Sequence, residues 1–208
     1  GTYTAKVYVE RDVAQPASDT AVITVSSPEA PTVDIKANGS DGPITIPYNH
    51  SATLSWTSSN ADNCYATGNW SGPKPLSGTE STGNLTSSKT YTITCTGPGG
   101  TATDSVIVNV SPQPTLSVSL EAIPNSGIAP LNNVDLKATV SGTAQGTINY
   151  KFDCTSDGIW DYTFNNIWDN PKTVIDACDY LSPGTYTAKV YVERDVAQPA
   201  SDTAVITV

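Results

Sequence analysis

The sequence predicts an all-β protein with two β-sandwich domains in tandem, preceded by a separate pair of strands. Only 14% of the 208 residues are charged, and the abundant Thr, Ser, Val and Gly are typical of β-proteins. Short runs with apolar residues at every second position alternate with turn signals, and helical periodicity is missing. Residues 184–208 also repeat residues 1–25 letter for letter (GTYTAKVYVERDVAQPASDTAVITV), which indicates a periodic chain.

The first copy of this repeated segment predicts strands over residues 2–10 and 20–25, joined by a turn region that contains Pro16. Two strands alone cannot bury a core. We therefore expect residues 1–25 to be the closing strands of a preceding repeat, partnered either by that repeat or by another molecule. The residues expected to complete such a sandwich are Gly1, Tyr3, Ala5, Val7, Val9, Val22 and Val25.

Residues 26–111 are predicted to be a Pro-bearing linker followed by the first sandwich. The linker covers residues 26–32, and its proline content favours an extended, semi-rigid chain. Short strands are then predicted at residues 32–37, 52–57, 63–67, 90–96 and 105–110.

Residues 112–208 are predicted to form the second sandwich after a similar linker, Ser111-Pro-Gln-Pro-Thr115. Its strands are predicted at residues 116–122, 133–140, 148–153 and 173–178, followed by the second copy of the repeated segment. One repeat is thus 183 residues long and contains both sandwiches.

Two family resemblances agree with this organisation. Residues 183–192 (PGTYTAKVYV) resemble the PGTYTVTLTV signature of PKD domains, and Tyr150-Lys-Phe-Asp153 stands where that family has its YxWDFGDG strand and turn, although the turn is longer here. Residues 32–110 resemble an Ig-like repeat of bacterial surface proteins through ATLSWT at 52–57, Cys64 and YTITCTGPGG at 91–100. The resemblances imply Ig-like sandwiches that serve as spacers or binding modules. Because Trp56 precedes both cysteines, an antibody-type core is not expected.

Four cysteines, Cys64, Cys95, Cys154 and Cys178, predict disulfides rather than a zinc site because none belongs to a CxxC pair. The domain boundaries favour Cys64–Cys95 and Cys154–Cys178, and each bridge would stabilise its domain by about 3 kcal/mol. Disulfides indicate an extracellular or cell-surface location. The alternative is four free buried thiols.

A calcium site is one interpretation of the loop after residue 152. Aligned with an EF-hand loop, its oxygen donors would be Asp153, Thr155, Asp157, Ile159 (through its carbonyl) and Asp161. Phe164 occupies the position of the bidentate carboxylate, so an ordinary acidic turn is the alternative. Asp176 and Asp179 flank Cys178 and would approach this loop if Cys154 and Cys178 are bonded.

Aromatic residues near this loop offer a sugar-stacking surface or a buried sandwich face. The spacing of Trp160, Tyr162 and Phe164 places them on one face of a strand. Trp168 and, far upstream, Trp70 lie in two other predicted loops. We favour burial of that face. Three tyrosines that open strands after turns are predicted to form tyrosine corners: Tyr3, Tyr91 and Tyr186.

The single histidine and the glycosylation sequons do not identify a function. His50 is the sole histidine, in a predicted turn, and a hydrolase would need it beside a nucleophile, so we do not expect an enzyme. Four N-glycosylation sequons begin at Asn38, Asn49, Asn69 and Asn84, about as many as chance gives in a chain this rich in Ser and Thr.

The net charge of −10 argues against nucleic acid partners and anionic membranes, and no apolar run is long enough for membrane insertion. The expected function is that of a structural repeat of an extracellular fibre, surface protein or adhesin stalk, with neighbouring copies of the repeat as partners. The alternative is a carbohydrate- or surface-binding module of a secreted enzyme.

Overall fold

The computed structural model describes the whole chain except the side chain of Asn69. The all-β prediction is confirmed, because the elements are strands apart from one short 3-10 turn at Gly68–Trp70. Contacts divide the chain into two compact units, residues 1–46 with 50–110 and residues 47–49 with 111–208. In the part of the chain that is described, no helix is long and apolar enough to span a membrane.

The strands alternate with short turns along the chain. Those of the first unit are β1 (Thr2–Val9), β2 (Ala17–Thr24), β3 (Thr32–Ala37), β4 (Ile44–Ile46), β5 (Thr53–Ser59), β6 (Asn63–Thr67), β7 (Gly72–Lys74), β8 (Ser77–Ser81), β9 (Lys89–Gly97) and β10 (Gly100–Val110). Those of the second unit are β11 (Ser117–Ile123), β12 (Leu131–Ser141), β13 (Ile148–Asp153), β14 (Tyr162–Ile167), β15 (Lys172–Tyr180), β16 (Thr185–Glu193) and β17 (Ala200–Thr207).

The first sandwich packs a three-stranded sheet, in the order β3-β5-β8, against a five-stranded sheet, in the order β4-β10-β9-β6-β7. Alternation along β9 buries Tyr91, Ile93 and Cys95 and leaves the residues between them closer to solvent, as expected for a strand with one wet face. Within the core, the Trp56 and Trp70 rings meet edge to face with centroids 5.2 Å apart.

The second sandwich packs the sheet β11-β12-β15 against the sheet β14-β13-β16-β17. Its core takes Tyr150 and Phe152 from β13, Leu136 from β12 and Val190 from β16, all fully buried. The segment after β11 runs parallel to β17, where the Gly127 N–H donates to the Thr207 carbonyl (3.0 Å) and the Thr207 N–H donates to the Asn125 carbonyl (3.0 Å). In the first sandwich, β4 runs parallel to β10 in the same way.

The first predicted linker is tied to its own sandwich. The Asn60 side-chain amide donates to the Glu29 carboxylate (3.2 Å) and to the Ala30 carbonyl (3.3 Å). A Cβ on Gly99 would lie 2.0 Å from the Glu29 carbonyl oxygen, so glycine is required there for the linker to approach. These contacts agree with a semi-rigid linker.

Candidate functional site

The repeated segment forms the same hairpin at both positions. Strands β1 and β2 pair antiparallel from Thr2–Thr24 to Val9–Ala17. Strands β16 and β17 pair with the same register, displaced by 183 residues. We call residues 1–25 the free hairpin and residues 184–208 the docked hairpin.

The two hairpins differ in what covers their apolar face. Val7, Val9 and Ile23 of the free hairpin are 57%, 58% and 53% exposed, whereas their counterparts Val190, Val192 and Ile206 are each 0% exposed. Because sequence and register are identical, the whole difference comes from the strands of the second sandwich. The free hairpin therefore presents an apolar face whose complement is known from the same molecule.

One residue of the predicted complementing set lies on the other face. Val205, the counterpart of Val22, is 57% exposed in the complete sandwich, while the next residue, Ile206, is buried. The face offered by β2 thus carries Ile23 rather than Val22. The prediction was wrong here because Ala21, Val22 and Ile23 are all apolar, so their sequence does not show which face is buried.

The edge of the free hairpin is also unpaired. Strand β16 lies between β13 and β17, and five residue pairs from Asn149–Glu193 to Asp153–Lys189 join it to β13. Among the residues described, β1 pairs with β2 alone. An unpaired strand edge is a template for another strand.

An aspartate on the last strand ties the two sheets of each sandwich together. Asp202 on β17 accepts the Leu120 N–H of β11 (2.8 Å), and Asp104 on β10 accepts the Ile35 N–H of β3 (2.8 Å). In the free hairpin the counterpart, Asp19, accepts the Thr20 N–H (2.8 Å). Asp19 was not among the predicted site residues, although an acid on the same strand face as Ala21 and Ile23 was a signal for it.

The structure joins Cys64 to Cys95 and Cys154 to Cys178, the pairing that the domain boundaries favour. The first bridge lies within one sheet, since Cys64 and Cys95 are opposite each other on β6 and β9. The second bridge joins the two sheets, because Cys154 follows β13 and Cys178 lies on β15. The two disulfides therefore constrain their sandwiches differently.

In the predicted calcium loop, the carboxylate oxygens accept hydrogen bonds from backbone N–H groups of the same loop. Asp153 accepts the N–H groups of Thr155 (3.0 Å) and Gly158 (2.9 Å), Asp157 accepts that of Ile159 (2.8 Å), and Asp161 accepts that of Cys154 (2.7 Å). The described residues contain no group of three His, Cys, Asp or Glu side chains arranged to hold a metal. The three aspartates of the predicted site therefore form no such group, and calcium binding that also uses Thr155 and Ile159 stays a prediction.

Asp153 has a structural role in this loop. Its burial raises the pKa of the carboxyl, but hydrogen bonds from the backbone N–H groups of the loop outweigh burial and lower the pKa below its ordinary value. The two acids that flank Cys178 make hydrogen bonds outside this loop. Asp179 accepts the Asn133 N–H (2.8 Å), and the Asp176 N–H donates to Asp135 (2.8 Å).

The aromatic residues of this region do not share one face. Strand β14 begins at Tyr162, and Tyr162 and Phe164 pack against the core. Trp160 precedes the strand and contacts Tyr191 on the outer face of the sheet, with ring centroids 6.0 Å apart. Trp168 is 73% exposed. The prediction that Trp160, Tyr162 and Phe164 share one strand face is wrong at Trp160, because that residue belongs to the turn before β14.

The tyrosine corner is present at Tyr186, whose hydroxyl donates to the Ser182 carbonyl (3.0 Å). Tyr91 instead is buried beside Thr82, and burial raises the pKa of Tyr91 while the Thr82 side chain partly offsets the increase. Tyr3 is exposed. Exposed His50 is bridged to Leu85, whose N–H donates to the His50 carbonyl (2.9 Å).

Three of the four sequon asparagines, Asn38, Asn49 and Asn84, are exposed. Asn38 also accepts the Thr53 N–H through its side-chain oxygen (2.8 Å). The side chain of Asn69 lies outside the described residues. Glycosylation at these positions stays a prediction.

Comparison with known proteins finds similar solved structures but no related sequence. No family model and no curated protein matches the sequence. The chain is similar to a solved structure of a 1.5-MDa bacterial ice-binding adhesin, with 14% identity, a TM-score of 0.49, and coverage of 88% of this chain and 65% of that chain. It is also similar to fibronectin(III)-like modules of Clostridium thermocellum CbhA, with 14% identity, a TM-score of 0.38, and coverage of 84% and 93%.

Titin domains A168–A170 give a further similarity, with 14% identity, a TM-score of 0.38, and coverage of 99% of this chain and 74% of that chain. At these identities and TM-scores the similarities assign no function to this chain.

Proposed function

We propose that this chain is a non-enzymatic structural repeat module of a long extracellular fibre, surface protein or adhesin stalk, in which Ig-like and PKD-like sandwiches alternate. Its free hairpin completes a sandwich that lacks closing strands, by strand complementation. The observation that carries this proposal is a hairpin that is buried at residues 184–208 and exposed at residues 1–25 with the same sequence and register. The two disulfides support an oxidising, extracellular location.

Exposure of the apolar face is the physical reason for complementation. A hairpin of two strands is marginally stable in water without a covered face. Burying a valine or isoleucine side chain stabilises by about 1.5–3 kcal/mol, and three such side chains of the free hairpin are more than half exposed. Covering them with a sandwich recovers this free energy and pairs the edge of β1.

The disulfides support a mechanical role. The two bridges join cysteines that are 31 and 24 residues apart in sequence. The chain between the bonded cysteines cannot extend when a sandwich unfolds under force. Reduction should lengthen the unfolded first sandwich by about 110 Å and the second by about 85 Å, at about 3.5 Å per residue. Single-molecule force spectroscopy with and without reductant measures these increments.

Refolding tests complementation. The chain is unfolded in denaturant with its disulfides intact, refolded at increasing protein concentration and examined by sedimentation velocity. Both hairpins then compete for each incomplete second sandwich, so oligomers should form at high concentration. Ile23→Asp, on the apolar face, should abolish them, and Val22→Asp, on the solvent face, should not. Equal oligomerisation of the Ile23→Asp chain would refute complementation by the free hairpin.

A second candidate function is carbohydrate binding, favoured by one observation: Trp168 is 73% exposed. Exposed tryptophan rings stack on sugars, and Trp160 adds a ring on the outer face of its sheet. Titration of soluble polysaccharides with tryptophan fluorescence detection tests it. Binding that is lost in Trp168→Ala would support this function, and unchanged fluorescence across a panel of polysaccharides would remove it.

A further inference from the structure

The two sandwiches differ in whether a disulfide holds their closing strands. In the first sandwich, Cys95 lies on β9, one of the closing pair β9–β10, and is bonded to Cys64 on β6. In the second sandwich, Cys154 and Cys178 both lie outside the closing pair β16–β17. The closing strands of the second sandwich are therefore held by noncovalent contacts and their chain connection, whereas those of the first are covalently fixed.

The rest of the second sandwich is cross-linked without its closing strands. Besides the disulfide, the Tyr180 hydroxyl of β15 donates to the Cys154 carbonyl (2.9 Å), and the Tyr162 hydroxyl of β14 donates to the Ala177 carbonyl (2.9 Å). At the opposite end, the Asn170 side chain exchanges two 2.8 Å hydrogen bonds with the backbone of Val140. The disulfide and the two tyrosine hydrogen bonds join the two sheets, and the Asn170 bonds tie the loop before β15 to β12. All of these ties are independent of β16 and β17.

We infer that the partner of the free hairpin is the second sandwich of another copy of this chain, where it takes the place of β16–β17, and that the first sandwich is closed to it. This inference rests on the proposed function, since it names the acceptor of the complementing strands. The Cys154–Cys178 bridge and the hydrogen bonds around it keep β11–β15 together as a preformed acceptor. The Cys64–Cys95 bridge keeps β9 in the first sandwich and blocks exchange there.

The docked hairpin shows which contacts the free hairpin would make in the acceptor. Asp19 would accept the Leu120 N–H as Asp202 does, and Arg11 would donate to the Gly146 carbonyl as Arg194 does (2.9 Å). Tyr8 would meet Trp160 as Tyr191 does. Since every residue from 1 to 25 is identical to its counterpart, no contact of the hairpin is lost in the exchange.

Exchange between copies exposes one hairpin for each hairpin that it buries. In the intact chain, the docked hairpin also has the advantage of high effective concentration, because its own connection to β15 is short. We therefore expect intact chains that are already folded, or that refold at low concentration, to retain their own closing strands, and exchange to occur when unfolded chains refold at high concentration. Chains whose docked hairpin is defective should instead join head to tail, and this heterologous contact leaves the ends of the assembly open.

The test uses the full chain with Val190→Asp and Ile206→Asp, which disable the docked hairpin and leave the free hairpin intact. Sedimentation velocity should show oligomers whose size grows with protein concentration. Val205→Asp, on the solvent face of β17, is the matched control and should be monomeric. Adding Val7→Asp and Ile23→Asp to the double variant should return the chain to a monomer with an unfolded second sandwich, whereas oligomers that persist would be nonspecific aggregates and would overturn the inference.

Cross-linking identifies the acceptor. Lys151 is opposite Tyr191 in the β13–β16 ladder, so Lys151→Cys combined with Tyr8→Cys in the disabled chain should give a ladder of disulfide-linked multimers. Tyr65, opposite Thr94 on β9, occupies a comparable place in the first sandwich, and Tyr65→Cys with Tyr8→Cys should give none. A ladder from the second pair would overturn the choice of acceptor.

The remaining outcomes separate this inference from the proposed function. A monomeric Val190→Asp/Ile206→Asp chain with a folded second sandwich would show that the free hairpin closes its own chain, which overturns exchange between copies and keeps complementation. A monomer with an unfolded second sandwich would overturn both. Amide exchange of peptides from residues 115–183, which occur once in the sequence, reports whether that sandwich is folded.

Discussion

Residues 1–25 and 184–208 show one sequence in two environments. Both copies form a two-stranded hairpin with the same register, but the apolar face is exposed in one and fully buried in the other. Local sequence therefore determines strand pairing, because the register is the same with and without a sandwich. Burial is determined by the strands that are added around the hairpin, and a hairpin without them keeps its capacity to bind them.

The largest difference between the two hairpins is expected when a charge is placed on the face that only the docked hairpin buries. Val190→Asp places an unpaired carboxylate in the core and should lower the free energy of unfolding of the second sandwich by more than about 4 kcal/mol. The same substitution in the first copy, Val7→Asp, should change it by less than about 0.5 kcal/mol, because Val7 is exposed. Urea unfolding followed by amide exchange of residues 115–183 measures both; equal effects would contradict the difference in burial.

The next effect loosens the strands that cover the docked hairpin. Replacing Cys154 and Cys178 with alanine should destabilise the second sandwich by about 3 kcal/mol and accelerate amide exchange in β16 and β17 towards that of the free hairpin. The exchange is followed by NMR, because peptides from the two copies have the same mass. Replacing Cys64 and Cys95 with alanine is the matched control. It should destabilise the first sandwich and leave exchange in β16–β17 unchanged, and accelerated exchange there would argue against a local role for each bridge.

A smaller effect should come from the aspartate that ties the sheets. Asp202→Ala leaves the Leu120 N–H without its acceptor and should cost about 2 kcal/mol in the second sandwich. Asp19→Ala removes a bond to the neighbouring Thr20 and should have almost no effect on stability. Thermal unfolding of the two variants gives the comparison, and a substantial loss in Asp19→Ala would mean that the free hairpin already uses this carboxylate.

The smallest effect is expected from acid. The pKa of Asp153 is lowered in the folded chain, so its contribution to stability is present above its unfolded pKa of about 3.9 and is lost as pH falls through the lower folded value. Asp153→Asn should remove this pH dependence at a cost of about 1 kcal/mol. The amide protection factors, which are the intrinsic exchange rates at each pH divided by the observed rates, are measured by NMR between pH 5 and pH 2.5. They should fall in the docked hairpin, whose Lys189 is opposite Asp153, and stay constant in the free hairpin.

Much of the fold could be predicted from the sequence because long strands with one wet face alternate clearly. Strands β3, β6 and β13 begin and end at the predicted residues. Strands β4, β7 and β8 were missed: β4 and β7 have three residues each, β7 contains Gly72 and Pro73, and β8 has no apolar alternation. All three lie at sheet edges, where neighbouring strands rather than their own side chains define them.

The candidate site was predicted in part. Exact repetition identified the hairpin, and alternation identified Val7 and Val9 on its apolar face. The roles of Ile23 and Asp19 depend on which face the second sandwich covers, and the unbroken apolar run in β2 does not show it. The calcium prediction was based on the spacing of oxygen donors along the loop. Spacing does not show that the oxygens of Asp153 already accept hydrogen bonds from backbone N–H groups.

The most direct measurement of interchangeability is amide exchange of β1 in the Val190→Asp/Ile206→Asp chain at a concentration where it is oligomeric. These substitutions also make the two otherwise identical segments distinguishable by mass. If the free hairpin replaces the docked one, the amides of Val7 and Val9 should become as protected as those of Val190 and Val192 in the unaltered chain, where NMR rather than mass separates the two copies. Fast exchange of Val7 and Val9 in the oligomer would contradict the account, because the oligomer would then be held together by another surface.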